Sequence, residues 1–182
     1  QKGNYPNKEL SGVGITYKFL QALDDEWFNF ESERYLDLVA LGNIGDMMDI
    51  RSYETKRIID KGLSSVCNPL FKTLIKKQFD SIHNRVNIHN VQFYIVPLIN
   101  ALIRMGSQEE KDLMFQAFIE QTQYFDYKPR NKPTIEESIY DRVARFCNNA
   151  KARQRNAINK ALSNVYNVIN NSCLLYTSPS PR

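Results

Sequence analysis

From Thr134 onward, apolar residues recur at intervals of three and four: Ile135, Ile139, Val143, Phe146, Ala150, then Ile158, Leu162, Val165 and Ile169, with a lapse at Gln154. That period lays one apolar stripe along an α-helix. Thr134 stands three residues before Glu137, the spacing of a capping box, so the helix is predicted to open there. A helix of more than thirty residues is too long for the interior of a small domain. Residues 134–172 are therefore expected to connect two domains. The segment ahead of it, 127–133, holds Pro129 and Pro133 and reads as a loop, and residues 1–126 form the body it leaves.

The remaining length sets limits. The chain has 182 residues, enough for one domain or a little more. No run of eighteen apolar residues exists, so no transmembrane helix is expected. Three cysteines without paired spacing exclude a disulfide framework and a zinc ribbon, and two histidines exclude a His-rich metal centre. The net charge of +4 is too small to argue for nucleic acid by itself. Its distribution says more: residues 128–160 hold nine basic residues against three acidic, a net +6, whereas residues 24–37 carry a net −5.

Both ends are read as unnatural. Residue 1 is glutamine with no signal-peptide pattern behind it, which predicts a chain that has lost its beginning. Residues 173–182 look like translated adapter sequence, and their two Ser-Pro pairs stop any helix.

Between the ends the pattern is mainly helical. Helices are predicted near 10–23, 32–41, 53–62, 69–79 and 108–120, with loops at 80–90 and 121–133. Val91–Val96 alternates and is rich in β-branched and aromatic residues, so it is predicted as a strand ended by Pro97.

Three places invite chemistry. In Leu41-Gly-Asn-Ile-Gly-Asp46 an apolar helix delivers a carboxylate onto a glycine turn, and Asp46 and Asp49 offer hard oxygen ligands to Mg²⁺ or Mn²⁺. The plainer alternative is a helix stop, with Asp49 capping the next element. Asn100 and Arg104 lie four apart, on one face if helical, and suit a phosphodiester oxygen; the alternative is an arginine paired with a nearby carboxylate. Gly12 and Gly14 precede a helix whose free amides would suit phosphate, though neither a dinucleotide fingerprint nor a P-loop is present, and the plainer account is helix capping and close packing. Tyr124, Phe125 and Tyr127 beside Lys128, Arg130 and Lys132 could stack on and neutralise a single strand, or form a solvated loop. Cys147 reads as a packed apolar group, and His83 and His89 as solvated loop residues.

Taken together, Ser11-Gly-Val-Gly14, Tyr35-Leu-Asp-Leu-Val-Ala-Leu-Gly-Asn-Ile-Gly-Asp46, Phe93-Tyr-Ile-Val-Pro-Leu-Ile-Asn-Ala-Leu-Ile-Arg104 and Asn148-Asn-Ala-Lys-Ala-Arg-Gln-Arg155 resemble the RecJ family of the DHH phosphoesterase superfamily, in its phage or mobile-element form. The resemblance implies an α/β fold overall, of which residues 1–126 are the second half of a DHH domain. This stretch itself would be mainly α, with one or two short strands and the long connecting helix. It implies a single-stranded-DNA-specific exonuclease acting from the 5′ end in DNA repair, recombination or replication. Two Mn²⁺ or Mg²⁺ ions would serve as cofactors, with Asp46 as the one ligand present. The Asp-x-Asp and Asp-His-His motifs of the family are absent here, so the chain alone is expected to be inactive. Asn100, Arg104, Gly12, Gly14, Arg145 and Arg153 would face the substrate. Single-stranded DNA is the implied partner, with a single-strand-binding protein as a second. The protein would be a cytoplasmic monomer with no membrane partner. Two other functions compete: a DHH-type phosphodiesterase of short oligonucleotides or cyclic dinucleotides, and a non-catalytic helical module that binds single-stranded DNA, which the +6 segment favours.

Overall fold

The structure is a computed structural model that describes residues 5–27, 31–83, 85–130 and 133–172, the last six as backbone only. The expected tail at 173–182 and Lys132 lie outside the described residues. The architecture is a helical body with a two-stranded antiparallel hairpin and one long C-terminal helix.

The body is built around α2, Leu36–Gly45, which follows a short 3-10 turn at Ser32–Tyr35. Seven of its ten residues are buried, so it is a central helix covered on most sides. Helix α1, Gly12–Trp27, and α3, Tyr53–Ser64, both pack against it; Leu10, Tyr17, Leu36, Val39 and Ile58 close a small core among the three. The larger core adds α4, Pro69–Lys77, α7, Val96–Met105, and α8, Gln108–Phe118 (after two short turns, α5, Phe79–Ile82, and α6, Ile88–Asn90). Asp37 is buried and serves this join: its Oδ2 accepts from the backbone N–H of Cys67 at 2.8 Å and of Asn68 at 2.7 Å, at the start of α4. The cap of α8 is Ser107, whose Oγ accepts from Glu110 N while Glu110 returns a bond to Ser107 N.

The hairpin pairs β1, Tyr124–Tyr127, with β2, Ile135–Ser138, Tyr124 opposite Ser138 and Tyr127 opposite Ile135. Helix α9, Ile139–Ser172, then runs 34 residues, about 51 Å at 1.5 Å per residue. Its first third packs Ile139, Val143, Ala144, Cys147 and Ala150 into the main core. Beyond Gln154, Ile158, Leu162 and Val165 hold their spacing but stand about half exposed. The Cys147 thiol is a core group, pushed up to about 12 by burial.

Four expectations are corrected. Val91–Ile95 is not a strand but a π-helical turn running into α7. Val91 and Ile95, four apart, are the buried pair and Phe93 is exposed, the reverse of what a strand would place on one face. Pro97 has no N–H to give the carbonyl four residues back, and the turn widens so that Val96 N donates to Val91 O instead. The segment 121–133 contains β1 rather than loop alone, and 80–90 contains two short helical turns. Finally, the long helix opens at Ile139, not Thr134. Ser138, not Thr134, caps it: Asp141 N donates to Ser138 Oγ at 3.2 Å, and Ser138 Oγ donates to Asp141 Oδ2 at 2.9 Å. Glu137, read as the capping-box acid, is instead paired with Arg145.

Candidate functional site

Asp46 ends α2. The helix runs through both Gly42 and Gly45, so the expected glycine turn lies beyond them and is made by Met47. Met47 takes φ 54°, its N–H bonds to Ile44 O at 3.1 Å, and Met48 N bonds to Asn43 O at 3.0 Å. These are the two bonds of a Schellman termination, with methionine in the left-handed slot that glycine usually fills. The chain is thereby turned sharply away from α2, and the Asp46 side chain is left exposed at the end of the helix.

The two glycine motifs meet each other. A Cβ on Gly42 would stand 2.3 Å from Val13 Cγ1, so α1 and α2 touch there only because position 42 has no side chain. Asn43, fully buried, fastens the same contact: its Oδ1 accepts from Ser11 N at 3.0 Å and Ser11 Oγ at 2.9 Å, and its Nδ2 donates to Val39 O at 3.0 Å. Gly14 N in turn donates to Ser11 Oγ at 3.3 Å. Gly14 is buried against Asn43 and Leu10, while Gly12 is exposed with open space where a side chain would go. The Ser11–Gly14 segment thus spends much of its hydrogen bonding on holding α1 to α2. Asn43 was not among the expected site residues. Its signal was present: a lone amide inside an otherwise apolar helix.

A groove of about 310 Å³ opens beside this contact, between α2 and the start of α7. Its walls are apolar, from Val13, Leu38, Leu41, Val96 and Ile99, and its polar side chains are Asp46 and Asn100. These two lie 54 residues apart in the chain, and the fold brings both to one groove. Neither side chain has a hydrogen-bond partner among the described residues. Arg104, one turn further along α7, is exposed outside the groove lining, and the carboxylate pairing weighed for it is absent among the described residues. Asp49 differs. Arg51 holds it through Nε at 3.0 Å and Nη2 at 2.6 Å, and Arg51 N donates to its Oδ1 at 2.9 Å. The hydrogen bonds from Arg51 keep the Asp49 carboxyl below the usual carboxylate range.

Of the two candidate oxygen ligands, only Asp46 is open. No group of three His, Cys, Asp or Glu side chains that could hold a metal ion occurs among the described residues. One carboxylate does not complete an Mg²⁺ or Mn²⁺ site.

The basic segment divides in two. Arg145 forms a fork with buried Glu137, Nε to Oε1 at 2.9 Å and Nη2 to Oε2 at 2.7 Å, and lies 4.0 Å over the Tyr127 ring. Arg142 covers Phe125 at 4.4 Å. Two of the three aromatic residues expected to stack on a strand are thus packed against α9, and only Tyr124 faces solvent. Arg153 donates to Glu110 Oε2 at 2.7 Å. Past these pairs, Lys151, Arg155 and Lys160 are exposed and have no ion pair among the described residues.

No family model and no solved structure matches the chain. Named proteins do. Over 172 residues, 94% of the chain, it is 42% identical to a protein named as SPbeta prophage-derived single-strand DNA-specific exonuclease YorK of Bacillus subtilis (strain 168). The match to a protein named as single-strand DNA-specific exonuclease from Bacillus phage SPbeta is the same. Over 104 residues, 56% of the chain, it is 36% identical to the single-stranded-DNA-specific exonuclease RecJ of Bacillus subtilis (strain 168). The chain spans 30% of the length of the first two relatives and 12% of RecJ. The resemblance read from the residues is matched by these relatives. No described helix is long and apolar enough to cross a membrane.

Proposed function

We propose that this chain is part of a single-strand-specific DNA exonuclease of α/β DHH architecture, which hydrolyses phosphodiesters from the 5′ end with Mn²⁺ or Mg²⁺. The relatives' names support the substrate. The observation that carries the site is the groove: an unpartnered carboxylate, Asp46, and an unpartnered amide, Asn100, converge in an otherwise apolar hollow. Asp46 is exposed and Asn100 half-buried, and neither holds a side-chain partner among the described residues, so both are open to a ligand at the groove.

In this reading Asp46 supplies one ligand, and the remaining ligands come from outside the described residues. The ion, when bound, supplies charge neutralisation and an activated water. Asn100 and Arg104 hold the phosphate oxygens of the strand, the amide by orientation and the guanidinium by charge. The exposed outer part of α9 lies on the connector to a second, substrate-binding domain.

The chain exchanged for the matched third of the SPbeta relative tests this. The chimera is expected to digest single-stranded DNA with Mn²⁺ or Mg²⁺, while the 182-residue chain alone digests none. Asp46→Ala in the chimera is expected to lower the rate by at least about 10³-fold, the scale of losing a metal ligand, and Asp49→Ala to have little effect. Full activity in Asp46→Ala, with the same circular dichroism as the parent, would falsify the assignment. A second reading, a non-catalytic single-strand-binding module, rests on Lys151, Arg155 and Lys160. It predicts binding with no metal-dependent digestion in the chimera.

A further inference from the structure

A second cavity, of about 390 Å³, lies between α1 and α3 and shares no lining residue with the Asp46 groove. Its polar walls are Tyr17, Lys18 and Gln21 of α1, Glu33, and Tyr53, Glu54, Arg57 and Lys61 of α3. The charges there do not cancel. Lys18 is paired with Glu54 at 3.1 Å, and Lys61 with Glu33 at 2.5 Å. Glu54 is further engaged by the Tyr5 hydroxyl at 2.6 Å and by Asn7 Nδ2 at 3.0 Å. Burial alone would raise its carboxyl, but those hydrogen bonds and Lys18 hold it below the usual range. Each carboxylate is thus matched by an ammonium. Arg57 is left over, with no carboxylate partner among the described residues.

Two further features point to what it would hold. Tyr17 is only 4% exposed, and its hydroxyl accepts from Gln21 Nε2 at 3.0 Å. Its own O–H proton finds no acceptor among the described residues. A buried donor beside a cavity edged by an uncompensated guanidinium suits an anionic oxygen acceptor. Tyr53 is 76% exposed and stands four residues before Arg57, so ring and guanidinium lie on one face of α3. An open aromatic face beside an arginine is the pair that stacks a base and neutralises its phosphate.

We propose that the cleft between α1 and α3 is a nucleotide subsite, with the phosphate on Arg57 and the Tyr17 hydroxyl and the base on Tyr53. The choice of a nucleotide rests on the single-strand reading; the anion site does not. The phosphate reaches it from one of two sources, an internal phosphodiester of a strand or the terminal phosphate of a released mononucleotide.

Calorimetric titration of the 182-residue chain, in chelator so that nothing is cleaved, tests it with three probes: (dT)8, thymidine 5′-monophosphate and thymidine. Phosphate-bearing probes are expected to bind and thymidine to bind at least about tenfold more weakly. Arg57→Ala and Tyr53→Ala, both surface changes, are each expected to weaken binding about tenfold, and Tyr17→Phe about threefold. Lys151→Ala corrects for strand contacts on α9. Tighter binding of (dT)8 than of the monophosphate, with the Arg57 effect in both, assigns the site to the strand; equal binding assigns it to the product. No phosphate binding, or binding indifferent to both Arg57→Ala and Tyr53→Ala in variants of unchanged melting temperature, overturns the proposal. Because no cleavage is measured, an inactive chimera leaves this result standing, and an active chimera does not rescue it.

Discussion

The groove at the end of α2 and the basic first half of α9 were both read from the sequence as places that meet DNA. In the fold they are opposites. At the groove Asp46 and Asn100, and one turn beyond its lining Arg104, carry no side-chain partner among the described residues. On α9, Arg145 is locked to Glu137 and lies against Tyr127, and Arg153 is bonded to Glu110. The lesson is that charge counted along a chain differs from charge available to a ligand. A guanidinium with a buried carboxylate and a ring holds the hairpin onto its helix. An amide and a carboxylate with nothing to bond, in an apolar hollow, hold no part of the fold together.

The sharpest way to break this contrast is to remove one arginine from each region. In the chimera, Arg104→Ala is expected to lower the rate of single-strand digestion by about 10²–10³-fold, as for loss of one charge-stabilising contact. Arg153→Ala should leave that rate near the parent value. Equal effects would erase the distinction.

Stability should reverse the order. Glu137→Ala leaves Arg145 without its carboxylate and the hairpin without its anchor. The cost should be roughly 2 kcal/mol by urea denaturation, below the usual figure for a fully buried pair, because 27% of the Arg145 side chain stays exposed. Asp46→Ala, at an exposed position, should change stability by no more than about 0.5 kcal/mol.

Within α9 itself, salt separates the paired from the open cations. Lys151→Ala with Arg155→Ala should flatten the log–log salt dependence of (dT)8 binding by about 1.4, two phosphates' worth of counterion release. Arg153→Ala should scarcely move it. A larger change for Arg153 would mean that Glu110 gives way when DNA arrives.

The smallest effect concerns pH at the foot of α9. Burial would raise the Asp141 carboxyl, but hydrogen bonds from Lys77 and Ser138 outweigh it and hold the group below its ordinary value. A depressed carboxyl contributes stability above its unfolded pKa and loses it as pH falls through the folded one. Melting temperature should therefore drop below about pH 4, and less steeply in Asp141→Asn. An identical acid profile in that variant would remove Asp141 from the account.

Features that depend on local spacing can be read from the chain alone. The helices at 12–27, 53–64, 69–77 and 108–118 follow from apolar period, and the long helix from its stripe. Asp46 at a helix end was readable for the same reason. Features that depend on partners remote in the chain emerge only on folding. Val91–Ile95 alternates like a strand, yet no strand lies ready to pair with it among the described residues, and burying Val91 with Ile95 requires a helical turn. Thr134 and Glu137 have capping-box spacing, yet Tyr124–Tyr127 offers Ile135–Ser138 a ladder, and Arg145 offers Glu137 a fork. Asn100 joins Asp46 because α7 packs beside α2 across 54 residues, and no local pattern carries that. Backbone period is a property of neighbours in sequence; who satisfies a charge or an amide is a property of neighbours in space.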